Sequence, residues 1–296
     1  MDLISLNIAT AKGFLPDRLP YGNKGTFGKV LLICGSKNMV GCCSLAAEGA
    51  LRSGAGLVTL AFPDCLYMPL TSRLTENLFL PLSTGEEGSI SSTNTDLLLQ
   101  KAEESDVVMF GCGIGVTEDT KQLTYNLISN ISKPLIIDAD GLNCLSENVG
   151  VLKSAKCPVL LTPHPGEMSR LTALSIDYIQ NNRVEVAKSF SEAYNVTVLL
   201  KGYETVICNS NYEQVYINKT GNTGLSKGGS GDLLSGIIAG LTASQKGDLF
   251  KSATLGAFIH GLTADILKEE LTEYAMLPTD CAKTLPEAFK MILNSR

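Results

Sequence analysis

The chain has no tryptophan, only two histidines among its 296 residues, and no Cys-x-x-Cys pair. With so few histidines, and with the adjacent Cys42–Cys43 as the only close cysteine pair, no set of residues has zinc-ligand spacing. Nine cysteines are nevertheless present, an odd number, and several sit in apolar runs such as VLLIC (Cys34) and TVIC (Cys208). Buried free thiols in a reducing cytoplasm are therefore expected rather than a disulfide framework. No run of about 18 apolar residues is available to span a membrane, and no basic segment precedes an apolar one at the start, so no leader is expected. Charged residues are few, 18%, and the net charge is −6, which argues against a nucleic-acid or anionic-membrane partner. Neither G-x-x-x-x-G-K-[ST] nor G-x-G-x-x-G occurs. There is no linker rich in Pro, Ser or charge and no repeat, so a single domain over residues 1–296 is expected. A chain of this length buries roughly 75% of its unfolded surface without staples.

What is present is an alternation of short apolar runs with helical patterns. Lys29–Cys34, Leu57–Phe62, Asp106–Phe110, Pro134–Asp138 and Pro158–Thr162 read as strands. Helical spacing falls on Gly41–Ser53, Asp119–Asn130 and Ile176–Tyr194. Val196–Lys201, Glu204–Cys208 and Glu213–Ile217 read as an antiparallel edge of three strands, and Leu82–Thr95 as a loop. Helices over Ser230–Ala243, Leu249–Glu270 and Ala282–Leu293 close the chain. Fully apolar strands between helices predict an α/β fold, a mostly parallel sheet covered on both faces.

Ligands of such sheets bind beyond the carboxyl ends of the strands, and the polar signals gather there. Gly35-Ser36, Gly111–Gly115, Asp138–Asp140, Pro163-His164-Pro165 and Lys201-Gly202 each follow a strand. The strongest segment is NTGLSKGGSGDLLSGIIAGL, where Gly228, Gly229, Ser230 and Gly231 precede Asp232 and an apolar helix. The first amides of a helix lack internal partners and carry the positive end of its dipole. Glycines let a phosphate approach that backbone. A carboxylate there disfavours simple anion binding, so Asp232 is read as a base acting on a hydroxyl beside the phosphate. His164, fixed between prolines, is read as a ligand contact, and His260 as a packing residue. Asp138–Asn143 (DADGLN) offers either a water-mediated magnesium contact or a helix cap.

Taken in order, KGTFGKVLLICGS, GALRSGAGLVT, GCGIG, IIDADGLN, LLTPHPGEMSRL, LLKGYETVI and the GGSGD segment resemble the NAD(P)H-hydrate dehydratases. The resemblance runs from Lys24 to Leu293 and implies a ribokinase-like fold. It implies ADP-dependent dehydration, with ATP as the other donor, of (6S)-NADHX and (6S)-NADPHX. The added hydroxyl is phosphorylated and phosphate is then eliminated. It places the nucleotide on Lys201, Gly202, Tyr203, Glu204, Thr205 and Gly231, and the hydrate on Cys42, Gly113, His164 and Asp232. Asp232 would be the catalytic base, the amides of Gly228–Gly231 the anion hole, and Mg2+ a cofactor. A homo-oligomer, taken as a tetramer, and pairing with a separate epimerase are also implied. The chain departs from the family pattern at Cys42-Cys43, where Ala-Ala is usual, and at Thr223 and Lys227. A ribokinase-like small-molecule kinase would use the same anion hole and aspartate, and a non-catalytic nucleotide-binding module is the third alternative.

Overall fold

The computed structural model describes residues 2–295. Its strands, in chain order, are β1 (Asp2–Ser5), β2 (Lys29–Ile33), β3 (Leu57–Pro63), β4 (Leu78–Leu82), β5 (Val107–Phe110), β6 (Leu135–Ile137), β7 (Val159–Leu161), β8 (Thr197–Leu200), β9 (Thr205–Asn209) and β10 (Gln214–Asn218). All belong to one sheet ordered β1-β10-β9-β8-β7-β6-β5-β2-β3-β4. Pairing is parallel from β8 to β4 and antiparallel across β8-β9-β10. The expected three-stranded antiparallel unit is present, but it is not the edge, because β1 adds a parallel strand outside β10.

The helices are α1 (Ile8–Phe14), α2 (Gly41–Arg52), α3 (Tyr67–Thr71), α4 (Thr95–Glu103), α5 (Glu118–Asn130), α6 (Asp140–Leu145), α7 (Pro165–Thr172), α8 (Ile176–Asn181), α9 (Arg183–Tyr194), α10 (Ser230–Ser244), α11 (Leu249–Ala275) and α12 (Pro278–Asn294). The single helix expected over Ile176–Tyr194 is two, broken at Asn182 (φ −133°, ψ 37°). The expected loop after β4 is compact. The Gly85 amide donates to the Ser89 carbonyl at 2.8 Å, and the Ser92 amide donates to Asp119 at 2.8 Å.

Alternation along the strands divides the core into two layers. Val30, Leu32, Leu60, Met109 and Ile136 face α2, α10 and α11, while Leu31, Ile33, Val108, Phe110 and Ile137 face the α4–α9 side. Burial on both faces explains the continuous apolar runs. The tightest helix pair is α2 with α10. A Cβ on Gly236 would lie 2.1 Å from the Ala46 carbonyl oxygen, and one on Gly240 2.3 Å from that of Ala50. Only glycine permits that approach, which brings the two helices into backbone contact along their length. The strand order reverses between β5 and β2, and the loops after both strands open at this switch point.

Candidate active site

Three neighbouring strand ends supply the charged centre. Asp138 follows β6, Glu167 lies in the first turn of α7 after β7, and Lys201 follows β8. The Lys201 ammonium is 2.8 Å from Asp138 Oδ1 and 3.7 Å from Glu167 Oε2. Ser235, one turn into α10, donates to Asp138 Oδ2 at 2.7 Å. Asp138 is 1% exposed. Burial pushes its carboxyl up, but the Lys201 charge and these hydrogen bonds outweigh it and hold it below the usual range. Burial likewise disfavours charge on Lys201, but Asp138 and Glu167 reverse the effect and it stays protonated. Glu167 is pushed up to about 7 because its burial outweighs the attraction of Lys201. Removing one member of such a buried pair typically costs about 3–5 kcal/mol.

The turn holding these groups is strained. Ala139 adopts φ 49°, ψ −120°, a conformation unfavourable for an L-residue. Opposite it Gly111 (φ 124°) lies so close that a Cβ would meet the Asp138 carbonyl oxygen at 2.1 Å. Asp140, the residue after Ala139, accepts the Gly115 amide at 2.9 Å and the Asn143 side-chain amide at 3.3 Å. Of the two readings of DADGLN, the helix cap is not formed, since no side chain caps α6. Asp138 is committed to Lys201 and Ser235, and among the described residues no group of three or more His, Cys, Asp or Glu side chains could hold a metal ion. The residues present therefore supply no protein cage for Mg2+.

The glycine-rich start of α10 is open. Its N-cap is Gly229 (φ 99°), and no side chain caps it. The space beside Gly228 is free, and a Cβ on Gly231 would lie 3.4 Å from the Lys201 ammonium and 3.6 Å from Asp138 Oδ2. The Ser230 hydroxyl is buried without a protein partner. Asp232 is partly buried. Its carboxyl is pushed up, first by burial and then by the negative charge of Asp138, against the Cys112 thiol and Lys201. The residues predicted as anion hole and base thus sit together, with the Lys201 cation beside them.

The remaining predicted residues surround this centre. The Cys42 thiol turns into the protein, donating to the Met39 carbonyl at 3.0 Å and the Cys112 carbonyl at 3.3 Å. Its amide lies in the first turn of α2, which also lacks a side-chain cap, so a ligand contact at this position falls to the backbone. Gly113 (φ 64°) packs over that thiol, where a Cβ would approach Sγ to 2.5 Å. His164 caps α7: its Nδ1 accepts the amides of Gly166 at 2.9 Å and Glu167 at 3.3 Å. The ring is half exposed, and burial, followed by Lys201 and Arg170, lowers its pKa. At the turn between β8 and β9, Tyr203 is 89% exposed and Thr205 donates to the Gly202 carbonyl at 2.9 Å. Arg183 braces this turn through the carbonyls of Leu200 and Lys201. Glu167, Ser235 and the Asp138–Lys201 pair were not singled out as partners from sequence. Hollows lined by Arg183, Glu185 and Lys188, and by Tyr178, Phe190 and Tyr194, lie on the α8–α9 flank and include none of the predicted site residues. His260 is buried as expected, with Nε2 unpartnered, and burial followed by Lys201 lowers its pKa to about 4.

Residues 30–287 match the family described as NAD(P)H-hydrate dehydratase. The chain belongs to that family. It is 39% identical over 281 residues to the bifunctional NAD(P)H-hydrate repair enzyme of Moorella thermoacetica, covering 95% of this chain and 53% of that protein. It thus spans about half the length of the bifunctional relatives. The ADP-dependent (S)-NAD(P)H-hydrate dehydratase of Bacillus subtilis is 30% identical over 277 residues, with 93% of this chain and 94% of that one covered. A crystal structure of the Bacillus subtilis ADP/ATP-dependent enzyme, co-crystallised with ATP/Mg2+, superposes with a TM-score of 0.81 at 28% identity, covering 97% of both chains. The fold is accordingly the ribokinase-like fold expected from the sequence. No described helix is long and apolar enough to cross a membrane, and all nine cysteines are free.

Proposed function

We propose that this chain dehydrates the S epimers of hydrated NADH and NADPH at the expense of a nucleotide, with ADP as the donor. The observation that carries the reading is the uncapped start of α10. The Ser230 amide donates to the Lys227 carbonyl at 3.2 Å, but the amides of Gly228, Gly229 and Gly231 are free, and with the Ser230 hydroxyl and the Lys201 ammonium they converge there beside Asp232. The nucleotide lies along Lys201–Thr205 with its terminal phosphoryl at Gly228–Gly231. The hydrate lies over Cys42, Gly113 and His164. Asp232 takes the hydroxyl proton as the oxygen attacks phosphorus. The amides and Lys201 hold the charge that develops on the transferring group, a task for which one oriented donor is typically worth about 3–4 kcal/mol. When present, Mg2+ would be held by the nucleotide's phosphate oxygens and water, where it would neutralise phosphate charge. The dehydratase names of the relatives support this reading over a small-molecule kinase. Cytoplasmic location, assembly as a tetramer and pairing with a separate epimerase belong to the same proposal.

The test mixes the protein with hydrated NADPH or NADH and with ADP or ATP, and follows the return of dihydronicotinamide absorbance. Recovery that requires nucleotide and is faster with ADP is expected. No recovery with either nucleotide would reject the dehydratase reading.

A further inference from the structure

The proposed reaction releases two protons, and Asp232 accounts for one. After the hydroxyl at C6 is phosphorylated, restoring the dihydronicotinamide breaks the C6–O bond, and phosphate leaves with its electron pair. The C5–H bond also breaks, and its pair becomes the C5=C6 double bond. The C5 proton needs its own acceptor.

Most titratable groups around the site are already engaged. Asp138 is 1% exposed and is saturated by Lys201 and Ser235. Glu167 is buried and receives the His164 amide at 2.8 Å. His164 spends its Nδ1 lone pair on two backbone amides, so the neutral ring carries its proton on Nε2, 3.4 Å from Glu167 Oε1. It is a donor there and not a base. The thiols of Cys42 and Cys112 are held well above their ordinary pKa, by the neighbouring Cys43 thiol and by burial respectively. Lys201 is a cation between two carboxylates.

Glu204, at the β8–β9 turn, lies 3.5 Å from the Lys219 ammonium, and Asp140 is the carboxylate left over. It is partly exposed. The Gly115 amide fixes one of its oxygens and Asn143 the other, while Arg170 fixes Asn143 through a 3.0 Å bond to its side-chain oxygen. A carboxylate offers about four acceptor positions, so two bonds leave acceptor positions open on Asp140. The strained Ala139 turn sends Asp138 towards Lys201 and Ser235, and Asp140 towards Gly115, two residues past Gly113, one of the predicted hydrate contacts. Its negative charge is also among those acting on Asp232.

We propose that Asp140 is a second catalytic base, which removes the C5 proton of the phosphorylated hydrate while Asp232 serves only the phosphoryl transfer. The proposal rests on the dehydratase reading. Its test is single turnover of Asp140→Asn with hydrated NADPH and ADP, following AMP release and dihydronicotinamide separately. AMP should form at close to the wild-type rate. Dihydronicotinamide should lag by on the order of a hundredfold or more, with phosphorylated hydrate accumulating and a primary isotope effect on its decay when C5 carries deuterium. Asp140→Glu, which keeps a carboxylate but displaces it, should slow the same step less and decides the matter if the asparagine variant does not fold. Wild-type return of dihydronicotinamide in Asp140→Asn overturns the proposal, as does an equal loss of AMP and dihydronicotinamide in either folded variant. Absence of turnover in the unaltered protein would sink the dehydratase reading itself, a separate result.

Discussion

Helices α7 and α10 both begin at the carboxyl side of the sheet near Lys201, and their first turns are built in opposite ways. α7 closes itself: the His164 ring accepts two of its amides, and the Glu167 carboxylate reaches back to the His164 amide. α10 starts on a glycine in the left-handed region with no side-chain cap and an orphan hydroxyl. Both have the same dipole, so the dipole alone does not make an anion site. A closed terminus has already used the donors that an anion needs. The open one keeps most of them at some cost in stability, with the Lys201 ammonium beside the same turn.

The largest expected effect tests the group that the open terminus serves. Asp232→Asn should cut turnover by a thousandfold or more, on the order of a lost general base, while nucleotide binding measured by calorimetry stays within a few-fold. Next comes the terminus itself. At Gly229 an alanine would have to hold φ 99° and place its Cβ 2.5 Å from Leu45 Cδ1. Gly229→Ala should lower stability by about 1–2 kcal/mol and weaken nucleotide binding at least several-fold, and unchanged affinity would show that the phosphates lie elsewhere.

The closed terminus should respond to pH instead. Burial pushes Glu167 up to about 7 in the folded protein, from an ordinary glutamate value of about 4.5. As pH rises from about 4.5, the unfolded chain gives up this proton first. The stability held below that pH is therefore lost progressively as pH passes 7. Urea titrations between pH 5 and 8 should show Glu167→Gln losing less stability across this range than wild type. The smallest effect is expected at the ring that caps α7. His164→Ala should cost about 1 kcal/mol, and His164→Asn, a capping residue, should restore most of it. Neither should change nucleotide affinity as Gly229→Ala does.

Much of this was legible in the sequence because it is local. The parallel strands are apolar on both faces, and GGSGD before a helix carries its own chemistry. What the sequence hid has physical causes. β4 contains Pro81, which cannot donate to a ladder and so reads against a strand, and β1 is four mostly exposed residues at the sheet edge. The Asp138–Lys201 pair joins residues 63 apart and exists only because β6 and β8 flank β7. Ser235 gave no signal, since a serine inside an apolar helix is ordinary until its partner is known. Glu167 was visible only as a first-turn acid, which it also is.

The most direct measurement is a structure of the protein crystallised with a non-hydrolysable ADP or ATP analogue. The terminal phosphorus should lie within hydrogen-bonding reach of the Gly228–Gly231 amides, with the Lys201 ammonium on a phosphoryl oxygen and the Asp232 carboxylate facing the acceptor side. A terminal phosphate bound away from that turn, or an Asp232 side chain directed into the core, would contradict the account.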